Sequence, residues 1–205
     1  MEIDLIFGVA ILIMSVVIHE VSHGYAALFL GDHTAEYEGR LTLNPLKHLD
    51  MVGSIIVPAI SYLLGGVIFG WAKPVPYNPF NLRNQRWGDA IVSIAGPVAN
   101  IFLALLAGLA LRYGMASGIF SVSVVKILAT ISITNIILAV FNLVPIPPLD
   151  GSKILFSILP LWAHRIEGYI ERYGLIFLII FLLFFGSLIS PIISFLFKII
   201  TGLSL

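Results

Sequence analysis

Five long apolar segments alternate with short polar connectors along this chain. They cover roughly residues 4–30, 51–71, 89–112, 123–147 and 174–200, and each is close to the twenty residues that a helix needs to cross a bilayer core. The segment 51–71 differs from the others because Pro58 and the Gly65–Gly66 pair interrupt it. Such interruptions are tolerated in a membrane helix and equally suit a re-entrant loop shielded by protein.

Two polar connectors carry patterns of their own. In "GDHTAEYEGRLTLNPLKHLD", the stretch "RLTLNP" alternates apolar and polar positions. This alternation predicts a small β element at the membrane surface, at about residues 36–45. The later connector "WAKPVPYNPFNLRNQRWGD" contains three prolines and several aromatic residues typical of a membrane interface. We expect it to be an extended surface loop.

The composition extends this pattern to the whole chain. Of its 205 residues, 59% are hydrophobic and 11% are charged, which is typical of a polytopic membrane protein. The predicted fold class is therefore all-α, and residues 1–205 are expected to form a single membrane-embedded domain. A formal net charge of +0 provides no basic surface for nucleic acid. Cysteine is absent, so histidine, aspartate and glutamate remain as the strong metal ligands.

The first apolar segment contains the polar motif "HEVSH". His19 and His23 are four residues apart, so on a helix they share a face and both imidazoles can reach one metal ion. Glu20 projects beside them and could accept a proton from a metal-bound water, as in zinc hydrolases. The alternative is a chance match in which the histidines only form hydrogen bonds inside a helical bundle. Three unpaired polar groups at this depth would be costly, which favours the metal site.

A catalytic zinc site takes a third protein ligand and leaves its fourth position to water. The stretch "FNLVPIPPLDG" supplies Asp150 at the end of a long apolar segment, where three prolines end the helix. An ordinary Asp–Gly turn at a helix end is the alternative interpretation of Asp150.

Three motifs, "HEVSH", "AGPVAN" and "NLVPIPPLDG", occur in an order that resembles the site-2 protease family of intramembrane zinc metalloproteases. The resemblance extends over most of residues 8–160. It implies that His19, His23 and Asp150 bind one zinc ion per chain and that Glu20 is the catalytic base. The chain resembles a minimal form of the family, without peptide-binding or nucleotide-sensing accessory domains.

The same resemblance suggests roles for four further residues. It implies that Asn142 and Asn100 help to hold the substrate or the oxyanion, and that Gly96 and Pro97 shape a neighbouring helix contact. Helix packing alone is an alternative explanation for Gly96 and Pro97, because small residues let membrane helices approach closely. A purely structural role is equally open for the two asparagines.

A shared metal ion constrains the topology. His19 and His23 come late in the first helix, and Asp150 follows the end of the segment that starts near residue 123, so these two helices must run parallel. The segment 51–71 is then predicted to make no net crossing and to be re-entrant or hairpin-like. Four full transmembrane helices remain.

This topology also predicts an orientation. It divides the eleven basic residues unevenly, with eight at the active-site end and three at the other. The first group is Arg40, Lys47, Lys73, Arg83, Arg86, Lys153, Arg165 and Arg172, and the second is Arg112, Lys126 and Lys198. Because basic residues favour the cytoplasmic side, the active site is expected there, with both termini outside.

We therefore expect an intramembrane zinc metalloprotease of a prokaryotic cell membrane. It would hydrolyse peptide bonds within or next to transmembrane segments of other membrane proteins, in regulated intramembrane proteolysis or in the clearance of signal-peptide remnants. Its partners would be a transmembrane protein substrate and the lipid bilayer. The alternatives are a metal-ion transporter, which should show several ligand sets or repeats, and a non-catalytic membrane adaptor of the same fold, which should show a damaged motif.

Overall fold

The computed structural model describes residues 2–50, 73–160 and 164–205, together with positions 53, 56 and 60. The helices of these residues are α1 (Glu2–Phe29), α2 (Thr34–Tyr37), α3 (Gly88–Ser117), α4 (Val122–Asn142), α5 (Asp150–Ile158), α6 (His164–Arg172), α7 (Gly174–Phe185) and α8 (Ile189–Thr201). Short 3₁₀ turns lie at Pro45–Lys47, Pro79–Asn81 and Gly186–Leu188.

Four helical stretches are long and apolar enough to cross a membrane by length and composition: Leu5–Phe29, Gly88–Ser117, Val122–Asn142 and Gly174–Thr201. The last of these joins α7 to α8. Between 6% and 39% of the most apolar window of each stretch is buried inside the protein, so most of these side chains face outward. Outward-facing apolar surface of this extent requires a lipid environment. The predicted integral membrane protein with four apolar spanning helices is confirmed.

Helices α1 and α3 pack against each other in an antiparallel arrangement. His19 on α1 contacts Asn100 on α3, and His23, one turn later on α1, contacts the backbone of Val92, which comes earlier on α3. The start of α3 therefore lies beside the end of α1. The two histidines face this contact.

Helix α4 packs against α3, again in the opposite direction. Asn100 bonds to Asn135, and Ala104, one turn later on α3, accepts a hydrogen bond from Ser132, which comes earlier on α4. Helix α4 therefore runs parallel to α1, as a shared metal site requires. Both helices end at the same face as Asp150.

Close helix packing at the other end of the protein depends on small residues. Ala104, Ile136, Phe197 and Ile200 form a buried cluster where α3, α4 and α8 meet. Gly108 lies next to this cluster, and a Cβ at that position would come within 2.4 Å of Ile200 and 2.9 Å of Ser132. A glycine is needed here because the helices leave no room for a side chain.

The connector between α1 and α3 is held by the buried carboxylate of Asp32. This group accepts hydrogen bonds from Thr34, from the backbone N–H of Asn78 and from the side chain of Asn81. Burial alone would raise the pKa of Asp32, but these hydrogen bonds outweigh burial and hold the pKa below its ordinary value. Asp32 thus stays ionised and fastens residues 78–81 to the end of α1.

The predicted surface β element at 36–45 is wrong. Residues Thr34–Tyr37 form α2, the backbone turns at Gly39 with a φ of +61°, and Asn44 caps the 3₁₀ turn Pro45–Lys47. An alternating pattern produces a strand only when a second strand pairs with it, and the described residues contain no strand. Instead, the Arg40 guanidinium in this stretch is buried and donates hydrogen bonds to the carbonyls of residues 73 and 74.

The predicted re-entrant or hairpin-like conformation of 51–71 lies outside the described residues. The residues on either side of it are described, and the N–H of Lys73 donates a 2.9 Å hydrogen bond to the carbonyl of His48. The described flanks of this segment therefore lie next to each other.

Gly108→Val is expected to lower the free energy of unfolding by about 1–3 kcal/mol, because the added methyl groups overlap α8 and α4. Unfolding in mixed detergent micelles, followed by circular dichroism, measures this change. Gly8→Val is the matched control, since a Cβ at Gly8 has nothing within 4 Å. Equal stability of the two variants would contradict the packing described here.

Candidate metal centre

Helical periodicity brings His19 and His23 together on α1. Both side chains are buried, with 6% and 8% of their surface exposed. Their Nε2 atoms are 3.1 Å apart, and the two rings meet edge to face. The spacing of four residues therefore places both imidazole nitrogens at one point, as the sequence predicts.

Asp150 reaches the same point from α5. Helix α4 ends at Asn142, the proline-rich stretch that follows turns the chain, and Asp150 is the first residue of the next helix. Its Oδ2 lies 3.1 Å from Nε2 of His19 and 3.4 Å from Nε2 of His23. Asp150 can lie here because the next residue is a glycine. A Cβ at Gly151 would come within 2.3 Å of the Leu143 carbonyl oxygen.

The hydrogen bonds behind the histidines fix their tautomers. Nδ1 of His19 lies 2.6 Å from Oδ1 of Asn100, and Nδ1 of His23 lies 2.7 Å from the carbonyl oxygen of Val92. The Asn100 amide nitrogen donates to the Ser15 carbonyl and to Asn135, which assigns its oxygen to the His19 side. Both Nδ1 atoms must therefore carry a proton, so each neutral imidazole has its lone pair on Nε2, the atom that faces Asp150.

These three donor atoms fit a zinc ion. Two ligands at about 2.0–2.2 Å from a tetrahedral ion lie about 3.3–3.6 Å apart, close to the separations of 3.1–3.4 Å among His19, His23 and Asp150. Oδ2 of Asp150 is buried and has no hydrogen-bond partner within the described part of the chain. A cation bound between these three buried donor atoms would satisfy all of them. No other group of three possible metal ligands occurs among the described residues.

Gly96 on α3 packs directly against both imidazoles. A Cβ at this position would lie 2.5 Å from Nε2 of His23 and 2.6 Å from Cε1 of His19. Gly96 therefore sets how closely α3 approaches the two imidazoles. From the sequence alone, ordinary helix packing was an equally open explanation for Gly96.

Two buried polar residues behind Asn100 are absent from the sequence prediction. Asn135 accepts from the Asn100 amide and donates to Oγ of Ser15, so α1, α3 and α4 share one hydrogen-bond network. Their positions give a signal: Ser15 is one turn before His19, and Asn135 is two turns before Asn142. A polar residue on the same face of an apolar helix as a ligand is a candidate for this supporting role.

Glu20 is held by the connector that precedes α3. Its Oε2 accepts a 2.8 Å hydrogen bond from the backbone N–H of Val75. Arg40, whose Nη2 donates to the carbonyls of Lys73 and Pro74, fixes this part of the connector. These contacts could not be predicted from the sequence, because backbone groups supply most of them.

A polar cavity of about 160 Å³ opens beside His19, His23 and Asp150. Glu20, Tyr77, Asn142 and Lys153 also line it. Asn142 donates from Nδ2 to the carbonyl of Leu138 in its own helix. The two asparagines named from the sequence are thus separated: Asn142 lines the cavity, whereas Asn100 is fully buried behind His19.

A buried His–His–Asp donor set with a carboxylate at the adjoining cavity, inside a bundle of membrane-spanning helices, defines a membrane-embedded metallohydrolase. Residues 113–185 match the model of Peptidase family M50. The "Putative zinc metalloprotease YwhC" of Bacillus subtilis is 40% identical over 182 residues, which cover 86% of this chain and 80% of that protein.

Proteins named "Putative zinc metalloprotease Rip2" are similar as well. Those of Mycolicibacterium smegmatis and Mycobacterium tuberculosis are 33% and 31% identical over 172 and 173 residues, covering 83% of this chain and 64% of each relative. No solved structure matches the chain. These similarities show that the chain belongs to Peptidase family M50. The resemblance to the site-2 proteases is thereby confirmed, and the chain is an intramembrane zinc metalloprotease.

Gly96→Ala is expected to weaken zinc binding about 10–100-fold, because the added methyl group displaces both imidazoles from their supporting hydrogen bonds. Zinc affinity is measured in detergent by competition with a fluorescent chelator. Gly168→Ala serves as the control, since a Cβ at Gly168 meets nothing within 4 Å. Native affinity in Gly96→Ala would show that α3 does not constrain the ligands.

Proposed function

We propose that the chain hydrolyses peptide bonds of transmembrane proteins in the cavity beside His19, His23 and Asp150. The observation that carries this proposal is the convergence of three buried donor atoms, at 3.1–3.4 Å from one another, beside a cavity that Glu20 also lines. Zinc held by these three residues supplies polarisation of a water molecule and of the substrate carbonyl.

Glu20 is the general base in this proposal. Its Oε2 is engaged by the Val75 N–H, while Oε1 makes no hydrogen bond within the described residues. Oε1 therefore takes the proton of the attacking water and delivers it to the leaving amide nitrogen. The Val75 contact keeps the carboxylate turned toward the cavity during both transfers.

The two asparagines take different roles. Asn100, fully buried, orients His19 by accepting its Nδ1 proton, so that Nε2 remains a ligand. Asn142 lines the cavity and uses one amide N–H for the Leu138 carbonyl, which leaves its second N–H and its oxygen for the backbone of an unwound substrate.

The substrate side is proposed from topology. The ends of α1 and α4 share a face with the site, and the basic residues concentrate at that end. This face is accordingly assigned to the cytoplasm of a prokaryotic cell, with both termini outside. Residues 1–205 act as one membrane-embedded domain on transmembrane protein substrates that enter from the bilayer.

The two alternatives lack support. A transporter needs a path of successive ligand sets, and the described residues contain a single set of three. A non-catalytic adaptor needs no base, yet Glu20 is present beside the ligands and lines the cavity.

Glu20→Gln is expected to keep one zinc per chain and to lower the cleavage rate about 10²–10⁴-fold, because the amide cannot accept the water's proton. Zinc content and cleavage of a single-span transmembrane substrate are measured in detergent. Glu38→Gln, which changes an exposed carboxylate, is the matched control and should cleave normally. Cleavage by Glu20→Gln at the native rate would exclude Glu20 as the base.

The absence of cysteine permits a clean test of orientation. Single cysteines are introduced at Glu38, near the site, and at Ser123, at the opposite end; both positions are exposed. In intact cells or spheroplasts, a membrane-impermeant maleimide should label Ser123→Cys, and Glu38→Cys should react only after the membrane is opened. The reverse labelling pattern would place the active site outside.

A further inference from the structure

Lys153 lies in the same cavity as the metal ligands and has no role in the mechanism described above. It follows Asp150 by three residues on α5, so the two side chains project from the same face of that helix. Lys153 is half-buried and lines the cavity together with Glu20 and Asn142. A flexible cation is thus placed beside the site of reaction.

Tyr77 holds the ammonium group of Lys153. Nζ donates a 2.9 Å hydrogen bond to the Tyr77 hydroxyl oxygen and lies 4.8 Å from the centre of the tyrosine ring. Tyr77 belongs to the same connector as Val75, which holds Glu20. The connector therefore positions both the general base and the Lys153–Tyr77 pair around one cavity.

The ammonium group of Lys153 carries positive charge and donates to the Tyr77 hydroxyl, which also forms a side-chain hydrogen bond with Asp89. Burial lowers the pKa of Lys153, but Tyr77 and the carboxylates of Asp150 and Asp89 more than offset this, and the pKa lies above its ordinary value. No carboxylate of the described residues forms an ion pair with Nζ. Tyr77 accepts one of its three N–H groups, which leaves two for a ligand.

We propose that the Lys153–Tyr77 pair stabilises the negative charge that develops on the carbonyl oxygen of the scissile peptide bond. This inference rests on the proposed proteolytic function. As water adds to the carbonyl carbon, the electron pair of the C=O π bond moves to the oxygen, and Glu20 holds the proton removed from the water. The pair returns when the C–N bond breaks and the proton passes to the nitrogen. Lys153 keeps its protons throughout.

The placement of Lys153 favours this role over the anchoring of a distant acidic group of the substrate. The cation is one turn from Asp150 and inside the cavity that contains the base. Asn142 and Ser93, which also line the cavity, are neutral donors, and Asn142 already donates one N–H to Leu138. A cation in a site of low dielectric stabilises an oxyanion more than a neutral amide does.

The test compares three variants, Lys153→Met, Lys153→Arg and Tyr77→Phe, with the control Lys47→Met. Lys47 is exposed and lies in the connector between α1 and α3. Zinc content, kcat and KM are measured with one transmembrane substrate. The Kd for a phosphinic pseudopeptide with the same flanking residues is measured as well, because its tetrahedral anion resembles the charged oxygen of the transition state.

Lys153→Met is expected to retain zinc and KM while kcat falls about 10²–10³-fold, and its phosphinic Kd should rise by a similar factor. Lys153→Arg restores part of kcat because it restores the charge. Tyr77→Phe should lower kcat about tenfold, and Lys47→Met should match the native protein.

Three results would overturn the proposal: an unchanged kcat in Lys153→Met, a change confined to KM, or an unchanged phosphinic Kd. A change confined to KM would mean that Lys153 anchors the substrate. If Lys153→Met loses zinc, the Tyr77→Phe variant becomes the decisive test, because it leaves α5 unchanged. A native kcat in Tyr77→Phe would then reject the proposal. A native chain that binds zinc and cleaves nothing would instead reject the proteolytic function itself.

Discussion

The arrangement of this protein depends on the convergence of three buried donor atoms. Two imidazole nitrogens and a carboxylate oxygen face one another at 3.1–3.4 Å, and a cation bound among them would satisfy all three. Two of these groups come from α1 and the third from the start of α5. Helix α3 supplies the hydrogen-bond acceptors that turn both imidazoles, so the helices can meet in only one way if the donor atoms are to converge.

That convergence is possible because the backbone approaches closely at two glycines. Gly96 brings α3 onto the imidazoles, and Gly151 brings the first turn of α5 onto the carbonyl of Leu143. The motifs "AGPVAN" and "PLDG" therefore combine a polar group with the small residue that lets it reach its partner. Local chemistry and helix packing are specified by the same few positions.

Much of the site could be predicted from the sequence because it depends on helical periodicity. The spacing of His19 and His23 and the prolines before Asp150 determine which side chains can meet, and the need to meet determines that α1 and α4 run parallel. The prediction of the β element was wrong because the described residues contain no second strand with which its alternating pattern could pair. The contacts of His23 with Val92 and of Glu20 with Val75 were not predictable, because backbone groups at those positions carry no residue signature.

The hydrogen-bond network of Ser15, Asn100 and Asn135 has a thermodynamic consequence. It joins His19 to three helices, so the orientation of a metal ligand and the association of α1, α3 and α4 are parts of one equilibrium. Any ligand that binds the assembled state preferentially stabilises it by mass action. A zinc ion held by His19 would therefore stabilise the association of α1, α3 and α4 in addition to supplying chemistry at the site.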